Sequence, residues 1–149
     1  MRANKRSRAR ETLMQMLFQM DAQGDFSVRS KDAFLEAYLR DKSLLPFANL
    51  VFEAAVGNMG EIDAAIAKSS DNWKLSRMAR ADLAILRLAA AEIFFVDDIP
   101  VSVSANEAVE LAKKFGGENS SSFVNGVLGR MIRGDGDADP AEGAEPCGE

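Results

Sequence analysis

The chain has 149 residues, 47% of them hydrophobic and 28% charged, enough to build one core or two very small ones. It has no histidine and a single cysteine, Cys147, near its C-terminus, which excludes Ser-His-Asp triads, Cys-His pairs, histidine-zinc sites and any disulfide framework. The net charge of −5 conceals a polarity: the first ten residues carry five bases and no acid, while residues 134–149 carry six acids and no base. A basic head of this kind predicts an anionic partner. The longest apolar stretch, Ala79 to Val96, is broken by Arg80, Asp82, Arg87 and Glu92, so no membrane span is expected. No apolar run of a secretory signal follows the basic residues, which makes a cytoplasmic protein the simplest reading.

Helical periodicity runs through almost every long segment. Ala9, Leu13, Met16, Leu17 and Met20 recur at steps of three and four, which predicts a first helix with one apolar stripe, with Arg6, Arg10 and Gln19 able to look outward and Gly24 as its stop. A short helix is expected over residues 31–39, capped by Ser30 and burying Phe34, Leu35 and Tyr38. From Leu44 to Ile66 the same period continues through Phe47, Val51, Ala55, Met59 and Ile62, and predicts one long helix, weakened or bent at Gly57 and Gly60. Residues 68–77 form a connector, with Trp73 expected as a core plug. The segment 78–96 is apolar nearly all round and should be the central, most buried helix. Two more helices are expected. Residues 101–115 are capped by Ser102 or Ser104, the latter in capping-box spacing with Glu107, and closed by Gly116 and Gly117. Residues 120–133 bury Phe123, Val124, Val127, Leu128 and Met131, and this pattern overrides the turn signal of Asn125-Gly126.

The expected fold class is therefore all-α: six or seven helices in two small bundles packed as one domain over residues 1–133. Residues 134–149 lack the apolar mass to offset their ordering entropy and read as an acidic disordered tail. No enzymatic constellation is found. Asp97-Asp98 lacks a third ligand at useful spacing and reads as a solvated helix end. Gly116-Gly117 and Gly57-x-x-Gly60 follow no strand and have no P-loop Lys-Ser/Thr. Arg87 and Glu92 on the buried helix should be structural and paired. Neither a metal nor a cofactor is expected. The basic head differs. Arg2, Lys5, Arg6, Arg8 and Arg10 at a helix start offer forked donors and a positive helix end, both suited to nucleic acid.

Seven blocks carry a family resemblance in order along residues 6–133: Arg6 to Glu11; Asn72-Trp73-x-Leu75-x-Arg77-Met78; Ile85-Leu86-Arg87-Leu88-Ala89; Glu92-Ile93; Ile99-Pro100; Asn106-Glu107-Ala108-Val109-Glu110-Leu111-Ala112-Lys113; and Phe123-Val124-Asn125-Gly126-Val127-Leu128. Together they resemble the NusB family of transcription antitermination proteins. The resemblance implies two three-helix bundles and a function that periodicity cannot show. That function is binding of single-stranded boxA RNA in ribosomal RNA leader transcripts together with ribosomal protein S10 (NusE), within the antitermination complex of RNA polymerase. It places RNA binding on Arg2, Lys5, Arg6, Arg8, Arg10 and Phe18, and an RNA or S10 interface on Asp82, Asn119 and Phe123. A homodimer is left open. Two alternatives remain at this point: an RNA-binding domain of the kind attached to ribosomal RNA cytosine methyltransferases, and a protein-only helical scaffold.

Overall fold

Asn4 starts the first helix, its Oδ1 accepting a hydrogen bond from the Ser7 backbone N–H at 2.9 Å, and Gly24 ends it in the left-handed conformation at φ 68°. From that helix onward the computed structural model describes residues 4–71 and 74–134. It contains seven α-helices: α1 (Lys5–Gln23), α2 (Val28–Tyr38), α3 (Leu45–Gly57), α4 (Met59–Ser69), α5 (Arg80–Phe95), α6 (Val101–Phe115) and α7 (Ser120–Arg133). Single 3-10 turns precede α3 and α5, and no strand occurs among the described residues.

The central helix is α5, as its nearly all-round apolar pattern requires. Every residue from Asp82 to Glu92 is buried, and α5 packs against α1, α3, α4, α6 and α7. Leu83, Ile85 and Leu86 are fully sealed from solvent, each contributing on the order of 1.5–3 kcal/mol. On one side α1 holds α2 and α3; on the other α7 packs on α6 and α4. Two groups of helices thus share α5.

Three local expectations need correction. The second helix begins earlier, at Val28, because Ser27 rather than Ser30 caps it, accepting from the Ser30 N–H at 3.1 Å. Of its expected buried residues only Leu35 is buried, Phe34 is half-buried, and Tyr38 is 60% exposed. The long helix over residues 44–66 is two helices, α3 and α4. Asn58 leaves helical geometry at φ −123°, ψ 22°, and its Nδ2 donates to the Ala54 carbonyl at 2.8 Å, satisfying an acceptor that the next turn would have used. Neither serine caps α6. Pro100 precedes it with no side-chain cap, while Ser104 and Glu107, the pair in capping-box spacing, are both engaged by other helices. The expectations for Trp73, Arg2 and the tail after Gly134 lie outside the described residues.

Candidate nucleic-acid interface

The basic head is held rigid by a buried polar cluster. Arg10 is only 2% exposed, so the outward orientation expected from helical spacing does not hold. Its Nε donates to Glu92 Oε2 of α5 at 2.7 Å, and its Nη1 lies 3.9 Å from Glu107 Oε1 of α6. Glu92 also accepts from the Ser104 hydroxyl at 2.7 Å, and Glu107 from the Ser7 hydroxyl at 2.7 Å. A buried charge of this kind persists only when its partners are supplied by the fold. Here α5 and α6 supply them, and the start of α1 is clamped to both. Glu92 is paired as the sequence required, and so is Arg87. Its guanidinium forks onto Asp63 of α4 at 2.9 Å for both bonds and reaches Asp21 of α1 at 3.3 Å. Burial opposes the charge on Arg87, but the two carboxylates outweigh it and raise its pKa above the ordinary value.

With Arg10 inside, the surface of the head consists of Lys5, Arg6 and Arg8, all exposed. Arg6 lies over the Phe47 ring at 4.5 Å, which orients its guanidinium while leaving it charged. Lys5 is 3.7 Å from Asp41, whose carboxyl is held below the usual carboxylate range chiefly by hydrogen bonds from Ser43, with Lys5 adding to the effect. Phe18 is 42% exposed and lies thirteen residues after Lys5 on the same helix, about 20 Å along its axis. At that exposure Phe18 is a surface residue, outside the core.

The remaining three predicted residues meet in one place. Asp82, Asn119 and Phe123 line a cleft of about 270 Å³ with Arg77, Met78, Ala79 and Ser120. The first turn of α5 supplies Asp82, and the start of α7 supplies Phe123. The tight turn between α6 and α7 supplies Asn119. That turn depends on Gly116, where a Cβ would collide with the Ser120 side chain, and on the Ser120 hydroxyl accepting from the Gly117 N–H at 2.9 Å. Asp82 is 7% exposed, and its Oδ1 has no hydrogen-bond partner among the described residues. A buried oxygen without a donor carries a desolvation cost, offset here by the N-terminal end of α5, in whose first turn Asp82 stands.

Two ties set how α1 lies along α5, with the head beside Glu92 and the cleft at the first turn of α5. The pairs Arg10–Glu92 and Asp21–Arg80 set α1 antiparallel to α5, so the end of α1 that bears Phe18 lies beside the end of α5 that bears Asp82. Lys114 of α6 bonds Glu11 of α1 at 2.8 Å, five residues before Asn119. Sequence reasoning assigned no role in this region to Ser7 or Arg77. The signal for Ser7 was its place among arginines, where a small hydroxyl marks the side of α1 that faces protein.

Comparison with known proteins matches the same span. The family model described as "NusB family" matches residues 7–133. The chain is 44% identical over 127 residues to the transcription antitermination protein NusB of Pelotomaculum thermopropionicum, covering 85% of this chain and 88% of that one. It is 43% identical over 127 residues to the Bacillus subtilis protein of the same name, covering 85% and 94%. Among solved structures, T. maritima NusB superposes with a TM-score of 0.76 at 34% identity, covering 89% and 93%. A chain from the structure of antitermination factors NusB and NusE in complex with dsRNA superposes at 0.78 with 27% identity, covering 87% and 97%.

Proposed function

The chain belongs to the NusB family, and from that premise we propose that it is a transcription antitermination factor that binds boxA-type single-stranded RNA of ribosomal RNA leaders together with S10 (NusE). The observation that carries the reading furthest is the meeting of Asp82, Asn119 and Phe123 in one cleft, at the end of α5 that lies beside the Phe18 end of α1. A relative solved with NusE and dsRNA supports NusE and RNA as the classes of partner. The mechanism is recognition without chemistry. Lys5, Arg6 and Arg8 hold phosphates, Phe18 and Phe123 offer apolar surface to unstacked bases, and the Asp82 carboxylate takes a cationic group of S10. Arg10 acts through position, fixing the head against α5 and α6. No helix among the described residues is long and apolar enough to cross a membrane. A factor acting on nascent transcripts works in the cytoplasm.

Titration of the full chain with a boxA oligonucleotide, with and without S10, tests the reading. Each ligand should raise the affinity for the other by the same factor, as linkage requires. Independent binding of the two would remove the cooperative core of the proposal, and no RNA binding at all would remove it entirely.

A further inference from the structure

Beside the head lies a second and larger cleft, of about 600 Å³, formed by α1, the segment that follows α2, and Lys114 of α6. Its size is that of a pocket for a small organic group. Its lining holds four cations, Lys5, Arg8, Arg40 and Lys114, against two carboxylates, Glu11 and Asp41. The carboxylates are already taken: Asp41 by Lys5 at 3.7 Å, and Glu11 by Lys114 at 2.8 Å. Among the described residues Arg8 and Arg40 have no carboxylate partner; they are two exposed guanidinium groups, one from α1 and one from the segment after α2, lining one concavity. Guanidinium forks left without an acceptor in a cleft select a planar or phosphate anion.

Tyr38 gives the cleft its second property. It is the only tyrosine of the chain and 60% exposed, although it stands between Leu35 and Leu39, which are both buried. The Phe34 ring, 4.6 Å away between centroids, supports it from its own helix. A supported, solvent-facing aromatic beside unpaired arginines is the composition of a stacking platform for a base. Gln15, on the α1 wall, adds an amide that can both donate to and accept from a base edge.

We propose that this cleft is a nucleotide subsite of the RNA surface, in which an unstacked base of a single-stranded RNA lies against Tyr38 while its flanking phosphates rest on Arg8 and Arg40. The proposal rests on the RNA-binding reading above and extends it along α1, whose Lys5, Arg8 and Gln15 line the cleft, Gln15 one turn before Phe18. The bound strand then crosses the head instead of ending on it.

The test uses the full chain and a fluorescein-labelled single-stranded boxA RNA, titrated over a range of salt concentrations. Tyr38→Ala should weaken binding on the order of ten-fold with an unchanged salt slope, and Tyr38→Phe should restore it, because stacking needs the ring and not the hydroxyl. Arg40→Gln should flatten the log-log salt slope by about 0.7, the signature of one lost phosphate contact to a single strand. Both side chains are exposed, so each variant should melt with the wild type. An RNA carrying 5-iodouridine should crosslink to Tyr38 on irradiation. Wild-type RNA binding that both Tyr38→Ala and Arg40→Gln leave unchanged in affinity and slope overturns the subsite and spares the function. Failure of the wild type to bind RNA overturns both. Loss of S10 affinity with intact RNA affinity in these variants would assign the cleft to a protein and end the nucleotide proposal.

Discussion

Replacing Glu92 with leucine isolates the buried cluster that carries the head. Glu92 is 1% exposed and takes both the Arg10 Nε and the Ser104 hydroxyl at 2.7 Å. In Glu92→Leu the Arg10 guanidinium stays buried, with Glu107 at 3.9 Å as its remaining carboxylate. Removing one partner of a buried pair costs about 3–5 kcal/mol, most of it the penalty of the charge left behind. For a chain of this size that lowers the melting temperature by roughly 10–20 °C. The double variant Arg10→Met/Glu92→Leu removes both charges at similar volume and should regain most of the loss. Calorimetric melting of the two single variants and the double variant gives the coupling directly. Because Arg10 is not at the surface, the double variant should also bind boxA RNA with the wild-type salt slope, any loss of affinity coming from the loosened head. A Glu92→Leu protein within about 1 kcal/mol of wild type would refute the buried-pair argument. A refolded double variant with a flatter salt slope would return Arg10 to the RNA surface.

Three further outcomes are expected. Simultaneous Lys5→Ala, Arg6→Ala and Arg8→Ala should flatten the salt slope for single-stranded RNA by about one to two units, with helix content intact by circular dichroism, whereas an unchanged slope would reduce the head to solvent dressing. Asp82→Asn should leave the melting temperature nearly unchanged, since Oδ1 has no hydrogen bond to lose among the described residues, and should lower S10 affinity severalfold by calorimetric titration. A fall of many degrees would show that the carboxylate stabilises the chain by itself. Deletion of residues 135–149, which have little apolar content, should leave the melting temperature nearly unchanged, and a large drop would show that the tail is docked.

The helical elements were legible because burial imposes a period on the sequence. The stripe Leu13, Met16, Leu17, Met20 marked α1, and the all-round apolarity of residues 78–96 marked the centre of the fold. The C-terminal ends of α6 and α7, at Phe115 and Arg133, were readable, whereas a cap at Ser102 or Ser104 would start α6 later than the Val101 at which it begins. Family resemblance, not periodicity, pointed to Asp82, Asn119 and Phe123, which stand up to 41 positions apart; only the packing of α7 against α5 brings them to one cleft. Other matters depend on partners remote in sequence and leave no local trace. The helix break at Asn58 hangs on one side-chain bond to Ala54, which a 3.6-residue pattern running through both α3 and α4 does not register. Ser104 and Glu107 carry the spacing of a cap, yet a hydroxyl and a carboxylate serve equally well in tertiary bonds, and α5 and α1 claimed them. Arg10 is the clearest case. In sequence it is one arginine of a basic run. It is a buried anchor only because Glu92, 82 residues later, comes within 2.7 Å when α5 packs antiparallel to α1.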